Sequence, residues 1–196
     1  MNINDCYNFD DFRKLAKKKL PAPIFHYIDG GADDEVTLNR NTSSFDDYDL
    51  VPSVLNDVSN IDMSTTVLGE KIDFPLFPAA TAMHRLYYHQ GERASAKAAE
   101  KMGTIFGTST MGTVSVEEIA KVNKGPKLFQ LYIHKDRGLT DNLLERCKKS
   151  GFSSMCLTVD TVVAGNRERD RRTGFTTPPK LTLGSLLSFA LHPVWT

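Results

Sequence analysis

The sequence lacks a surplus of either charge and lacks a long apolar run. Its 24 Lys and Arg residues balance its 24 Asp and Glu residues. Because proteins that bind nucleic acids usually carry a basic excess, no nucleic-acid partner is predicted. The longest apolar stretch, residues 181–191, is about half of the ~20 residues that a membrane-spanning helix needs. Composition therefore favours a soluble or surface-bound protein.

Cysteine is also scarce. Cys6, Cys147 and Cys156 are odd in number and form no Cys-x-x-Cys pair, so we predict reduced thiols and no metal site. Residues 1–12 lack the basic and then apolar pattern of a signal peptide, which predicts a cytoplasmic location. With 40% hydrophobic residues, the 196-residue chain can bury a core.

From Phe74 onward, short apolar runs alternate with helical patterns. The runs lie at residues 74–81, 103–110, 127–133 and 153–160. In one of the helical patterns, Ser115 and Glu118 have the spacing of a capping box. Strands that alternate with helices predict βαβ units and a parallel sheet. Neither a Gly-x-Gly-x-x-Gly nor a Walker lysine motif follows a run, so the dinucleotide and P-loop fingerprints are missing.

The N-terminal part has a less regular pattern. One helix is predicted to stop before Pro21, where the proline ring opposes continuation. A second helix is predicted to end at Gly30-Gly31, where glycine would supply left-handed backbone. A third short helix is predicted over residues 33–41, with irregular chain after it.

Polar residues at the predicted strand ends bear on the type of sheet. They are Thr81, Ser109, Gln130, Tyr132, Thr158 and Asp160. A doubly wound sheet and a barrel both remain possible, but polar groups at one end of successive strands favour a (β/α)8 barrel. Such a barrel takes ~250 residues. We therefore expect residues 1–70 to form a helical and irregular segment that covers the barrel, and residues 71–196 to form a truncated first half of it.

Five segments resemble one enzyme family. They are HYIDGGADDEVTLNRN (26–41), ATAMHRL (80–86), TSTMGTVSVEEIA (108–120), FQLYIHKDRG (129–138) and LTVDTVVAGNRERDRR (157–172). In this order, they make the chain similar to the FMN-dependent α-hydroxy-acid dehydrogenases and oxidases, and HPVWT at its end favours the L-lactate dehydrogenase branch. The resemblance implies an α/β fold of the TIM-barrel type, FMN as cofactor, and oxidation of a small L-2-hydroxy acid, with L-lactate giving pyruvate.

The resemblance also implies how the cofactor is held. The expected contacts come from the backbone of Ala80, Thr81 and Ala82 and from the side chains of Ser109, Gln130 and Thr158. An amide and two hydroxyls can each donate to or accept from ring atoms. Without the resemblance, Ser109 and Thr158 would be interpreted as small core residues, whereas a buried Gln130 needs hydrogen-bond partners in any case.

Tyr27, Tyr132 and Arg167 resemble the family's substrate-binding set, in which Arg167 offers a planar fork to a carboxylate. Tyr132 and Asp160 resemble catalytic residues, and Asp160 corresponds to the carboxylate that stabilises the protonated catalytic histidine. The alternatives are a packed aromatic for Tyr27, a solvated charge run for Arg167, and a turn-capping role for Asp160.

Several family features have no counterpart in this sequence: the catalytic histidine, the flavin-facing lysine, a second substrate arginine and a glycine-rich phosphate site. We therefore expect the chain alone neither to turn over substrate nor to hold FMN tightly. The full-length parent protein is expected to be a homo-oligomer. Two rival hypotheses are a non-catalytic half-barrel that binds a partner or assembles by pairing, and another TIM-barrel flavoenzyme.

Residues 181–195 lie where some relatives carry a membrane-associating loop. An apolar stretch with a terminal tryptophan is typical of a segment at the lipid interface, so peripheral contact with the cytoplasmic face of a membrane is expected. A loop that folds over the rest of the protein is the alternative.

Overall fold

A computed structural model describes residues 2–195 as helices, strands and connecting turns. The helices and strands in chain order are α1 (Phe9–Lys19), α2 (Ala22–Asp29), α3 (Val36–Ser43), β1 (Thr65–Val67), β2 (Glu70–Ile72), α4 (Glu92–Lys101), β3 (Phe106–Ser109), α5 (Val116–Val122), β4 (Lys127–Leu131), α6 (Arg137–Lys149), β5 (Ser154–Leu157), α7 (Glu168–Thr173) and α8 (Leu183–Ala190). These elements form two units. The helical unit combines residues up to Val54 with residues from Val163 onward, and the sheet unit spans Leu55–Val162.

The sheet unit contains a parallel sheet of strand order β3-β4-β5. Phe106 pairs with Lys127, and Leu128 pairs with Ser154, so the three strands run in one direction with their carboxyl ends at one edge. Helices α5 and α6 connect consecutive strands. This arrangement confirms the predicted α/β architecture with a parallel sheet.

Apolar side chains fill the space between these helices and the sheet. The buried clusters are Ala96, Ala99, Phe106, Val114 and Ile119, and Val116, Phe129, Leu131 and Cys147. Burial raises the pKa of the Cys147 thiol to about 11, so this thiol stays protonated at neutral pH. The predicted cap of α5 is present, since Ser115 Oγ accepts from the backbone N–H of Glu118 at 3.3 Å.

Residues 74–81 do not form the predicted strand. Pro75 and Pro78 have no backbone N–H to donate to a sheet ladder, and in this segment Thr81 makes an isolated parallel bridge to Thr108. The segment nevertheless runs against β3, because a Cβ added to Gly107 would lie 3.1 Å from the backbone nitrogen of Ala80. The four predicted strands therefore correspond to three strands and one bridged segment.

A hairpin replaces part of the irregular chain that was predicted after α3. β1 and β2 pair in antiparallel fashion, with Val67 opposite Glu70. The two turn residues, Leu68 and Gly69, both have positive φ, at 54° and 82°. Two residues of positive φ are what a tight hairpin turn of the I′ type requires.

The second helix of the helical unit ends where the sequence predicted, but for another reason. α2 ends at Gly30, whose φ of −91° is extended, so the prediction of left-handed backbone there is wrong. Glycine is needed at this position for space instead. A Cβ on Gly30 would lie 2.7 Å from the carbonyl oxygen of His26 and 3.0 Å from Cδ of Arg169.

The chain after β5 contains α7 and α8, and α8 lies in the segment 181–195 for which a membrane-associating loop was expected. Thr182 caps α8, because its Oγ1 accepts from the backbone N–H of Ser185 at 3.2 Å. Ser185 is buried and its hydroxyl donates to the carbonyl oxygen of Thr173 at 2.7 Å. Among the helices between residues 2 and 195, none combines the length and the apolar character that a bilayer crossing requires.

Ion pairs join helices of the helical unit. The Arg169 guanidinium donates to Asp29 at 2.9 Å and to Glu35 at 2.5 Å. Arg13 forms a second ion pair with Asp29 at 2.5 Å. The Arg13 hydrogen bond, together with that of Arg169, holds the pKa of Asp29 below its ordinary value although partial burial opposes the shift.

Candidate active site

Three polar side chains are joined across the carboxyl ends of the parallel strands. Ser109 Oγ donates to Gln130 Oε1 at 2.8 Å, and Gln130 Nε2 donates to Thr158 Oγ1 at 2.5 Å. Strand register explains the first contact, since Ser109 lies opposite Gln130 in the β3–β4 ladder. The contact between Gln130 and Thr158 is explained by the pairing after β5, where the backbone N–H of Thr158 donates to the carbonyl oxygen of Leu131, the residue after Gln130.

This hydrogen-bonded set keeps donors available for a ligand. Ser109 and Gln130 are only 6% and 8% exposed, so their side chains have little access to water. A glutamine amide has two N–H donors and a threonine hydroxyl has one. Within residues 2–195, one Gln130 N–H and the Thr158 hydroxyl hydrogen have no protein acceptor. Ring nitrogen and oxygen atoms of a flavin are suitable partners for both, so this donor set fits FMN.

The structure also brings the segment 80–82 to this edge of the sheet. The Thr81–Thr108 bridge places the segment beside the last residues of β3, which end at Ser109. The hydroxyl of Thr81 donates to the carbonyl oxygen of Ala79 at 3.2 Å. The backbone of this segment therefore lies next to the Ser109–Gln130–Thr158 set, where the family resemblance expects cofactor contacts.

Tyr132 and Asp160 follow β4 and β5 and are accessible. The Tyr132 side chain is 37% exposed, and its backbone N–H donates to Thr110 Oγ1 at 3.0 Å. Thr110 in turn donates to the carbonyl oxygen of Gln130 at 2.7 Å, which fixes the direction of the chain after β4. Asp160 is exposed, and no residue of the described part of the chain pairs with its carboxylate.

In the helical unit, Arg167 contacts Tyr27. The Arg167 guanidinium lies 5.1 Å from the centre of the Tyr27 ring. It donates to Asp170 Oδ2 at 2.5 Å, to the carbonyl oxygen of Gly30 at 2.9 Å, and to the carbonyl oxygen of Tyr27. Arginine has five N–H donors, so two of them remain for a ligand within the described residues. Arg167 is thus held by the protein and is not a freely solvated member of its charge run.

Several residues that organise these regions were not predicted from the sequence. Thr110, Glu92 and Asp170 are among them, and the last two are buried, at 0% and 7% exposure. Thr110 lies within the segment 108–120 that resembles the family, and its position after β3 is the signal that could have identified it. A buried acid has no such signal, because sequence alone shows which residues are charged and does not show which are enclosed.

Comparison with known proteins gives the family. The model of the family described as FMN-dependent dehydrogenase matches residues 16–196. Glycolate oxidase of Spinacia oleracea is 43% identical over 176 residues, which cover 90% of this chain and 48% of the relative. L-lactate oxidase of Nostoc sp. is 44% identical over 192 residues, which cover 96% and 53%.

A solved structure agrees with these relatives. The crystal structure of the monotopic membrane protein (S)-mandelate dehydrogenase aligns with a TM-score of 0.89 at 33% identity, over 97% of this chain and 51% of the other. The chain belongs to the FMN-dependent dehydrogenase family, as the resemblance predicted, and FMN is the cofactor of that family. It spans about half the length of the curated relatives that it matches.

Proposed function

We propose that the parent protein to which this chain belongs oxidises a small L-2-hydroxy acid with FMN, and that L-lactate is its substrate and pyruvate its product. The convergence of Ser109, Gln130 and Thr158 at one edge of the parallel sheet is the observation that carries this proposal. The chain would supply the first part of a (β/α)8 barrel, with residues 1–70 as its covering segment and residues 71–196 as half of the barrel.

The residues of the site would bind and orient, and the cofactor would carry the redox chemistry. When bound, FMN would take up the two electrons that a 2-hydroxy acid loses as it becomes a 2-oxo acid. The remaining N–H of Gln130 and the hydroxyl of Thr158 would hold polar edges of the cofactor. In the sheet unit, the Tyr132 phenol would hydrogen-bond to the substrate, and Asp160 would stabilise a protonated base.

In the helical unit, the two remaining N–H donors of Arg167 would bind a substrate carboxylate. Because Tyr27 accepts from the same guanidinium through its carbonyl oxygen, a contact of Tyr27 with the substrate would be coupled to the position of Arg167. The choice of lactate draws support from the L-lactate oxidase of Nostoc sp.. The resemblance to the family also places Met111 where glycolate oxidase carries tryptophan, so glycolate is not assigned as the substrate.

Because the chain alone is not expected to hold FMN tightly, the cofactor site is tested by adding FMN at millimolar concentration and following backbone amide signals by NMR, which detects weak binding. We expect shifts at Ser109, Gln130 and Thr158 in the wild-type chain, and their loss in Gln130→Leu, which has similar volume and no amide. Gln90→Leu is the matched control because Gln90 is an exposed glutamine of the same unit. Shifts confined to other residues, or none in the wild type, would contradict the proposal.

The substrate site can be tested in the full-length parent protein. Arg167→Lys should raise KM for L-lactate about tenfold, because lysine cannot reproduce the two fork hydrogen bonds. Arg171→Lys, at an exposed position of α7, the helix that Arg167 precedes, should leave KM unchanged. Unchanged kinetics in both variants would remove Arg167 from the substrate site. The chain alone is expected to be inactive, and a yellow preparation bleached by lactate would disprove that expectation.

We also propose that residues 181–195 touch a membrane surface. Leu183 and Leu187 of α8 and Leu191, the residue directly after it, are spaced by four residues and are 86%, 61% and 70% exposed. Anionic phospholipid vesicles should bind the chain in a sedimentation assay, and Leu187→Glu should reduce the bound fraction. Equal binding of the two proteins would contradict the membrane contact through α8, and no binding of either would favour the rival hypothesis of a half-barrel whose apolar surfaces pair with protein. A homo-oligomeric parent protein remains a prediction.

A further inference from the structure

One buried carboxylate joins two loops at the candidate cofactor site. Glu92 is the first residue of α4 and is 0% exposed. Its Oε1 accepts from the backbone N–H of Thr113 at 2.8 Å and from that of His84 at 3.3 Å. Its Oε2 accepts from the Thr113 hydroxyl at 2.7 Å. A buried carboxylate is costly unless its oxygen atoms are hydrogen-bonded, and here both of them are.

The two loops held by Glu92 are also connected to each other. The backbone N–H of Arg85 donates to Thr113 Oγ1 at 3.1 Å, and that of Met83 donates to the carbonyl oxygen of Met111 at 3.1 Å. Met83 has a positive φ of 54°, which is uncommon for a residue with a side chain. The loop conformation thus depends on these tertiary contacts and is not a local preference of the sequence.

Each loop continues directly from residues of the proposed cofactor site. The first loop follows the segment 80–82. The second follows Ser109, whose Oγ accepts from the backbone N–H of Met111 at 3.1 Å. A change at the Glu92 carboxylate would therefore reach the candidate FMN contacts on both segments through one or two hydrogen bonds.

We propose that Glu92 is a positioning residue for the cofactor site, which fixes the segment 80–82 and the loop after Ser109 relative to each other. We call the hydrogen bonds of Glu92 to His84 and Thr113 the Glu92 clamp. The link of the clamp to FMN rests on the proposed function, while the clamp itself rests on the contacts described above. Burial raises the pKa of Glu92, but the hydrogen bonds from Thr113 and from backbone amides outweigh burial and hold the pKa below its ordinary value. Glu92 is therefore an anionic acceptor at neutral pH.

The clamp can be tested by amide hydrogen exchange of the full chain, followed by NMR. In Glu92→Ala, we expect exchange at His84 and Thr113 to rise about tenfold or more, since each loses its acceptor. Glu92→Gln keeps a carbonyl oxygen for both amides and should restore most of their protection. Glu100→Ala is the matched control, because Glu100 lies at the exposed far end of α4 and accepts from the backbone of Lys124.

A second variant keeps the experiment decisive if Glu92→Ala does not fold. Thr113→Val removes the hydroxyl and retains the backbone N–H. Amide exchange should therefore rise about tenfold at Arg85 and stay unchanged at the backbone amide of position 113. Equal exchange in all variants, or a uniform rise that includes β4, would overturn the clamp.

The link to the cofactor is tested by the FMN-induced amide shifts. We expect Glu92→Ala to need about tenfold more FMN than Glu100→Ala to reach the same shift at Ser109, with intermediate behaviour for Glu92→Gln. The same FMN response in the alanine variants would overturn the positioning role even if exchange changes. If the wild-type chain shows no FMN response, the proposed cofactor site fails, and the exchange data still decide whether the clamp exists.

Discussion

The interactions that stabilise the helical unit internally differ from those that stabilise the sheet unit internally. In the sheet unit, Phe106 and Ile119 are at most 1% exposed and pack between helices and the parallel sheet, and Ile105, also 1% exposed, packs against Ile72 of β2. The buried apolar side chains of the helical unit, among the described residues, are Leu20, Pro21, Pro23, Ile24 and Phe25. Its helices are joined by the ion pairs of Arg169 and Arg13 and by the backbone contacts of Arg167.

This difference shows what each unit needs in order to place its proposed site residues. A packed apolar core gives the sheet unit a rigid edge, on which short hydrogen bonds orient Gln130. The helical unit has less apolar surface to bury, so its arginines set the spacing of its helices and are only partly available for a ligand. We therefore expect the sheet unit to respond most to lost volume and the helical unit to lost charge.

The largest effect is expected from Phe106→Ala. Removing this ring leaves a cavity between α4, α5 and the sheet, and it should lower the free energy of unfolding by about 3–5 kcal/mol. Urea unfolding followed by far-UV circular dichroism measures the loss. Phe9→Ala is the matched control, because Phe9 is 94% exposed, and it should change stability by no more than about 0.5 kcal/mol. Similar losses in both variants would break the distinction between the units.

A smaller effect is expected from Arg169→Gln in the helical unit. Asp29 and Glu35 would lose a charged donor, and the free energy of unfolding should fall by about 1.5–3 kcal/mol. Arg171→Gln, at an exposed position of the same helix, serves as the control in the same urea titration. A change of less than about 0.5 kcal/mol at Arg169 would mean that the ion pairs do not order this unit.

The smallest effect concerns a charge pair of the sheet unit, between Glu117 of α5 and Arg146 of α6. The Arg146 hydrogen bonds lower the pKa of Glu117 to about 2 from an ordinary value of 4.5. Because the folded-state pKa is depressed, the pair stabilises the fold above pH 4.5 and loses its contribution as pH falls toward about 2. Both side chains are more than 40% exposed, so the contribution should be only about 0.5 kcal/mol.

Glu117→Gln measures this contribution in thermal unfolding at neutral and acidic pH. The wild type should be slightly more stable than the variant at neutral pH, and the difference should vanish near pH 2. High salt should shrink the difference at neutral pH, because exposed charges are screened. A difference that persists in acid would assign the effect to packing and not to the ion pair.

The sequence predicted some elements well because local chemistry specifies them. Ser115 caps α5 as its spacing indicated, and α1 stops before Pro21. The segment 74–81 was predicted incorrectly, since its apolar pattern suggested a strand while its prolines remove ladder donors. The end of α2 was located correctly, but the close approach of Arg169 to Gly30 depends on residues far along the chain and could not be predicted.

The alternation of strands and helices, the family and the identity of the polar groups after each strand can be obtained from the amino-acid sequence, because they depend on side-chain chemistry and on nearest neighbours along the chain. Which of those polar groups contact one another depends on the folded chain. Strand register joins Ser109 to Gln130 and Gln130 to Thr158, and folding encloses Glu92 between two loops. The physical reason is that burial and hydrogen-bond geometry depend on residues brought together from distant positions in the chain.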